Sequence, residues 1–290
     1  MAEGKAAQAF AKINLGLIVS SPGRDGYHPL VSLVQSVSWA DHLELTTADE
    51  DAFTVAGMDG SDDNLAWRAV EAVRSEIGSR RPLALHLRKQ IAVAAGVGGG
   101  SADAATGLVL AADLLGLPRD RLAELALGLG ADVPFCLQGG LAILEGRGER
   151  IRPQPAVAGY ALGIVVPGLE LATPAVYRQW DEMGEPTGVE FPASQLPPGL
   201  RDYQPLRNDL QPAAEALAVE AADWRADLAD RWGRPVAMSG SGPALFGFFV
   251  DEEEAAAAVT DTPPGMRASA AAVPVPRGWR EVPGTLTGPE

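Results

Sequence analysis

The sequence predicts an α+β fold in which hairpins and helical crossovers alternate along one chain. Three observations carry this. Apolar residues recur at helical spacing after residue 64 and again after residue 104. A strand, a Gly146-Arg147-Gly148 turn and a second strand are legible over 139–153. A glycine-rich turn, SGSG, splits the apolar run 236–250 into another strand pair. Hairpins beside helical crossovers argue against a doubly wound parallel sheet.

Element by element, AFAKINLGLIVS (9–20) reads as an opening strand. The turn-dense PGRDGYHP (22–29) follows, and strand resumes over 30–47, ending in the alternating DHLELT. Asp63 caps a helix with Leu65, Ala66, Ala69, Val70, Val73 and Ile77 on one face, stopped by Gly78. LALHL (83–87) is a strand. After AAGVGGGS (94–101) comes a helix with Ala105, Leu108, Val109, Ala112 and Leu115 on one side. Pro118 opens another helix, ended by Gly130. A buried strand runs from Tyr160 to Val166, and 184–205 is a long irregular excursion. A single helix of some twenty residues is expected through Ala214, Leu217, Ala221, Trp224, Leu228 and Trp232. A short helix over 252–260, a last strand from Met266 to Val273 and a frayed tail beyond Arg277 complete the pattern. PQPAVAG (153–159) interrupts it and marks the domain boundary; 290 residues suit two domains.

Composition excludes several functions. Apolar residues make up 47 %, enough for a large core, and the net charge is −15. That charge argues against a general nucleic-acid binder and against docking on an anionic membrane. It leaves phosphorylated small molecules open, because backbone N–H groups and helix N-termini hold phosphate without net positive charge. No apolar run reaches the length of a membrane span. Met1 to Gly16 reads as mature sequence, so the cytoplasm is expected. The one cysteine, Cys136, forbids an internal disulfide, and with three histidines it argues against a structural zinc site. Of the basic residues only Lys5, Lys12 and Lys89 are lysines, which reflects either a general bias toward arginine or places where a compact ammonium is needed.

No P-loop, G-x-G-x-x-G, H-E-x-x-H or G-x-S-x-G motif is present. The positive signal is Gly96-Val97-Gly98-Gly99-Gly100-Ser101, placed between a strand and a helix. Glycines let the backbone approach a ligand, and the following helix presents its orphan N–H groups and the positive end of its dipole. A phosphate-cradling loop follows. Asp132, in GADVPFC, is either a helix cap with Pro134 in the first turn or a carboxylate that takes a proton from a hydroxyl nucleophile. Lys12 either lies on an exposed strand face or points inward toward such a carboxylate. Tyr27 and His28 either decorate the surface or form an edge for a heterocycle. The turn 238–243 is either a plain hairpin or a second set of backbone donors.

Together AKINLGL (11–17), GRDGYHPL (23–30), DNLAWRA (63–69), AAGVGGGSADAATG (94–107), GADVPFCL (130–137), ATPAVY (172–177), NDL (208–210) and MSGSGPALF (238–246) resemble the GHMP small-molecule kinases. The similarity is greatest to those that phosphorylate a cytidine-diphosphate-linked polyol for isoprenoid biosynthesis. The resemblance implies a two-domain α+β fold. Residues 1–155 would be the ATP-binding domain, 156–277 a smaller substrate domain and 278–290 a frayed tail. It implies Asp132 as catalytic base and Lys12 as its partner. It places Ala94, Ala95, Gly96, Val97, Gly98, Gly99, Gly100, Ser101 and Ala102 at the triphosphate, and Asn64 and Lys89 near the adenine. It assigns Asn14, Tyr27, His28, Thr173, Tyr177 and Gly240 to the acceptor, with His28 and Tyr177 at the cytosine. ATP is the phosphoryl donor and Mg2+ its counter-charge, Ser101 being the candidate metal ligand among the side chains. The protein would act as a monomer or homodimer on a small molecule. Another GHMP kinase, of mevalonate or homoserine type, and a non-catalytic binding protein on this fold are the alternatives. The chain departs from the family in having Pro29 for Glu, Ala92 for Pro and Val97 for Leu.

Overall fold

A computed structural model describes residues 3–55, 60, 61 and 63–283. Its strands are β1 (Gly4–Val19), β2 (Leu30–Thr47), β3 (Ala52–Val55), β4 (Leu83–Arg88), β5 (Leu141–Gly146), β6 (Arg150–Pro153), β7 (Ala161–Pro167), β8 (Ala237–Met238), β9 (Leu245–Phe249), β10 (Met266–Ala272) and β11 (Trp279–Val282). The helices are α1 (Leu65–Ile77), α2 (Gly99–Leu115), α3 (Leu122–Leu129), α4 (Val133–Gln138), α5 (Thr173–Glu182), α6 (Gln211–Leu217), α7 (Val219–Trp232) and α8 (Glu252–Ala258).

The first sheet is ordered β11-β1-β2-β4-β3, and β5 continues from the other half of β2 to β6. All its pairings are antiparallel except β3 with β4. The second sheet, β10-β7-β9-β8, is antiparallel throughout. β1 threads three cores. Ala7 and Ala9 meet the helices α1 and α2; Ala11, Ile13 and Leu15 pack between the two sheets; Leu17 and Val19 join Val176, Trp180 and Leu228 under α5 and α7. A strand buried on both faces has no solvent side to mark its polar residues, so the polar Lys12 and Asn14 inside it stand out. The β1–β2 register slips between Phe10 and Lys12 and again between Asn14 and Gly16. Two irregularities thus bracket these side chains, and bulges re-aim side chains in this way.

Several expectations are corrected. Asn64, not Asp63, caps α1, its side chain accepting from Ala66 N at 2.9 Å. The helix expected through Ala214 and Trp232 is broken at Ala218, which takes an extended conformation between α6 and α7. The tail is not frayed through 283: Trp279–Val282 form β11 and pair with β1, with Trp279 Nε1 donating to Leu137 O. The rest of that expectation, 284–290, lies outside the described residues. Strand β3 and helix α5 have no counterpart in the sequence reading.

Candidate active site

The glycine loop enters α2 through two left-handed residues, Gly96 at φ 78° and Gly98 at φ 71°. Gly98 is the N-cap of α2 and offers no side chain, so the helix's first N–H groups face the loop mouth. A Cβ at Gly98 would lie 2.8 Å from Lys12 Cγ, and one at Gly96 would lie 2.7 Å from Gly242 O. The loop is therefore wedged between the strand that carries Lys12 and the second glycine turn. Val97 O accepts from Lys12 N at 2.9 Å, and Ala95 O accepts from Ala244 N at 3.0 Å. Ala102 is buried and its N–H is already given to Gly98 O, so its part in the loop is structural. A cleft of about 350 Å³ opens along Ala94–Gly96 and Gly98–Ser101, with Asn64 and Lys89 in its wall.

Lys12 is almost wholly buried. Its Nζ lies 3.3 Å from Asp132 Oδ2 and donates to Asn14 Oδ1 at 2.7 Å. Asn14 Nδ2 in turn donates to Ser32 Oγ at 2.8 Å, and Asn14 N to Ser239 Oγ at 3.1 Å. Gly240, at φ 59°, passes so close that a Cβ there would lie 3.1 Å from Asn14 Oδ1. Asp132 occupies the N-cap position of α4, yet its side chain makes no capping bond. Its carboxylate stays partly exposed and faces Lys12. Lys12 points inward as the resemblance implied. One turn into α4, burial and the nearby Asp132 charge push the Cys136 thiol up, leaving it inert.

Lys89 is held differently from what its assignment suggests. Its Nζ donates to Asp103 Oδ2 at 2.7 Å and pairs closely with Asp41, both carboxylates being buried. Asp41 Oδ1 also accepts from Gln90 N at 2.6 Å and Ile91 N at 2.8 Å. Burial lifts the Asp103 carboxyl above the usual carboxylate range, to about 8; Lys89 pulls it down and Asp41 pushes it further up. Burial alone would lower the Lys89 ammonium, but Asp103 and Asp41 outweigh it and hold it above its ordinary value. This cluster ties β2 to the first turns of α2 beneath the phosphate loop.

A separate cavity of about 440 Å³ is walled by Tyr27, His28, Thr173 and Tyr177. Residues 27–28 come from the β1–β2 loop and 173–181 from α5. The His28 ring sits 5.1 Å from Tyr177 and 5.6 Å from Trp180. Its Nδ1 faces Ser20 O at 3.2 Å and its Nε2 faces Asp181 Oδ2 at 3.4 Å. Arg147 lies 3.8 Å above the Tyr27 ring and pairs with Asp25. Burial pushes the Tyr177 hydroxyl up to about 12, with Asp132 adding to it, so the cavity and the Lys12–Asp132 pair share one electrostatic neighbourhood. Thr173 Oγ1 and Ser241 Oγ are 2.7 Å apart and join α5 to the second glycine turn. Asn208 Nδ2 braces that turn, donating to Met238 O and Gly240 O at 2.7 Å each. A larger cavity of about 780 Å³ near Tyr160 and Val275 contains none of these residues.

The candidate residues thus fall into two groups, the glycine loop with Asn64 and Lys89 at one cleft and Tyr27, His28, Thr173 and Tyr177 at another, while Lys12 packs against Asn14, Gly98 and Asp132. The sequence reading did not select Asp41, Asp103, Ser239, Asn208 or Asp181. NDL and MSGSGPALF were visible as segments, but which side chain braces which turn depends on long-range packing.

Comparison with known proteins adds to this geometry. Residues 64–140 match the family model for the GHMP kinases N terminal domain. A 4-diphosphocytidyl-2-C-methyl-D-erythritol kinase of Sinorhizobium medicae is 39% identical over 270 residues, covering 86% of this chain and 87% of that protein. One of the same name from Cutibacterium acnes is 37% identical over 95% of this chain and 96% of its own length. The crystal structure of a 4-(cytidine 5'-diphospho)-2C-methyl-D-erythritol kinase superposes with a TM-score of 0.77 at 34% identity, covering 93% of this chain and 98% of that one. A homoserine kinase from Cytophaga hutchinsonii, at 18% identity and TM-score 0.68 over 96% and 97% of the two chains, shares the fold.

Proposed function

The chain belongs to the family of 4-diphosphocytidyl-2-C-methyl-D-erythritol kinases within the GHMP kinases, and on that premise we propose that it transfers the γ-phosphoryl group of ATP to a hydroxyl of 4-diphosphocytidyl-2-C-methyl-D-erythritol, in isoprenoid precursor biosynthesis. The observation that carries this reading is the Lys12–Asp132 pair, 3.3 Å apart, set between a helix N-terminus and a ring-lined cavity.

Phosphoryl transfer asks a protein mainly for positioning and charge stabilisation. Asp132 accepts the acceptor hydroxyl's proton as its oxygen bonds the γ-phosphorus. The bond from that phosphorus to the β–γ bridging oxygen breaks, and ADP leaves. Lys12, oriented by Asn14, holds the Asp132 carboxylate in place and faces the charge that develops on the transferring group. N–H groups of Gly98–Ser101 and the α2 dipole bind the β and γ oxygens. His28 and Tyr177 hold the cytosine, Tyr27 closes that side, and Thr173 and Gly240 lie along the path between base and polyol. Among the described residues no three carboxylate, histidine or cysteine side chains gather as a metal cluster. A hard cation suits the hydroxyl of Ser101 together with nucleotide oxygens; Mg2+, when bound with ATP, supplies neutralisation of the β and γ charges.

The domain at 1–155 serves ATP and that at 156–277 the acceptor, while Tyr27, His28 and Asn14 reach across from the first. We assign the enzyme to the cytoplasm, acting as a monomer or homodimer without nucleic acid or membrane; no described helix is long and apolar enough to cross a membrane. The test is ADP release against a panel of 4-diphosphocytidyl-2-C-methyl-D-erythritol, mevalonate and homoserine. Turnover of the first alone is expected. Turnover of either of the others alone reassigns the chain within the superfamily, and none at all leaves a binding protein.

A further inference from the structure

We propose that Trp279 is a positioning residue for the Lys12–Asp132 pair: from the far end of the chain it seats the short helix headed by Asp132 and, through its neighbour Gly278, the part of β1 that carries Lys12. This rests on the reading of that pair as the reacting one.

Helix α4 has six residues, too few to hold its own place in water. Asp132 stands at its N-terminal end, and Asp132 O accepts from Cys136 N at 3.0 Å, which closes the first turn. The returning chain lies against that turn and the helix end. A Cβ at Gly278 would come 1.7 Å from Cys136 O, and one at Gly139, where φ is 71°, would come 1.8 Å from Gly278 N. Only glycine fits on either side of this contact. Leu137 O, one of the carbonyls that a helix end leaves without an internal partner, accepts from Trp279 Nε1 at 3.1 Å. The indole has a fixed place from which to give that bond. It packs on the apolar cluster beneath α1 and α2, and the Arg119 guanidinium lies 5.0 Å from its centroid.

The same stretch holds β1. Phe10 N donates to Gly278 O at 2.9 Å, at the residue after which β1 slips out of register with β2. Two residues on, Lys12 N donates to Val97 O. The 3.3 Å between Lys12 Nζ and Asp132 Oδ2 is therefore a separation between two elements that Gly278 and Trp279 tie together. Trp279 borders neither the glycine-loop cleft nor the ring-lined cavity. A residue so placed acts on the chemical step without acting on binding, since misplacing a reacting group by about 1 Å costs as much as ~10²-fold in rate.

The experiment measures kcat, both KM values and thermal unfolding for Trp279→Phe, Val282→Ala, Asp132→Asn and the combination of the first with the last. Trp279→Phe keeps a ring and loses the donor. Its kcat should fall about 10-fold, with KM for ATP and for the acceptor little changed. Val282→Ala trims the same strand where it pairs with Ala6, away from α4; it should lower Tm and leave kcat alone. In the Asp132→Asn background Trp279→Phe should cost kcat nothing more, because it acts through Asp132. Wild-type kcat in Trp279→Phe, an equal loss in Val282→Ala, or losses that simply multiply in the combined variant would make Trp279 a support of the fold alone and overturn the inference. If Asp132→Asn itself turns over like wild type, the reading of the catalytic pair falls and takes the inference with it.

Discussion

The two clefts that flank the Lys12–Asp132 pair are built in opposite ways. The side we assign to phosphate is local in sequence. It comes from one contiguous stretch, 94–101, forced into shape by left-handed glycines and locked from below by Lys89 and the buried Asp41 and Asp103. The side we assign to the base is assembled from remote pieces, a turn-rich loop at 27–28 and a helix at 173–181, and its Tyr27 is 58% exposed. Charge transfer needs donors fixed where charge develops. Recognition of a flat base tolerates surfaces that adjust. The contrast predicts that damage on the phosphate side reaches turnover, whereas damage on the base side stays in acceptor binding.

Asp132→Asn tests the dividing line itself. The amide keeps the shape and cannot take the proton, so kcat should fall about 10²–10⁴-fold with ATP affinity little changed. Wild-type turnover in this variant would make Asp132 a mere helix-terminal residue. His28→Ala should raise KM for the cytidine acceptor by about 5–150-fold, the cost of an unpaired polar edge, and leave KM for ATP alone. An equal rise for ATP would erase the distinction between the clefts. Gly98→Ala places a methyl against Lys12 at a positive φ, a conformation that costs a non-glycine residue about 1–2 kcal/mol. It should lower ATP affinity and kcat together, each by roughly 5- to 30-fold in steady-state kinetics.

How far the same contrast could be read from sequence follows from its physics. The glycine loop, β1, β2 and the anomaly of Lys12 are legible because glycine clusters and a charge in an apolar strand are local signals, whereas the bond from Lys12 to Asn14 is seen only in the structure. Asp41 looks like one more polar position of an alternating strand, and Asp103 like a polar helix residue. Their union with Lys89 is made by tertiary contact. Helix α5 does carry a signal, Thr173-Pro174 at its start and the buried pair Val176 and Trp180 four apart, which the longer pattern around it obscured. The break at Ala218 carries none, since alanine is the best helix former and packing overrides it.

A smaller effect probes the lock beneath the phosphate loop. Asp103 binds its proton with a value of about 8 in the folded protein against 3.8 when free. Between those values the folded state holds more protons than the unfolded one, so this group's contribution to stability declines as pH rises from about 4 to about 8. Asp103→Asn should flatten that decline, as read by urea denaturation at pH 5 and pH 8; parallel curves for the two proteins would refute it. Smallest of all, Tyr177→Phe keeps the ring face and should change KM for the acceptor only a few-fold.

Strand β11 gives the molecule a schedule as well as a shape. It supplies the outer partner of β1, yet it is made long after β6, the last of the other strands in that sheet. At ~5–20 residues per second, synthesis leaves the β1 edge without its neighbour for on the order of ten seconds. Through that interval the nascent sheet shows open backbone donors and acceptors, the kind of edge that invites pairing with another chain. A chain cut short before residue 279 therefore carries Lys12 on a strand whose outer edge has lost its partner.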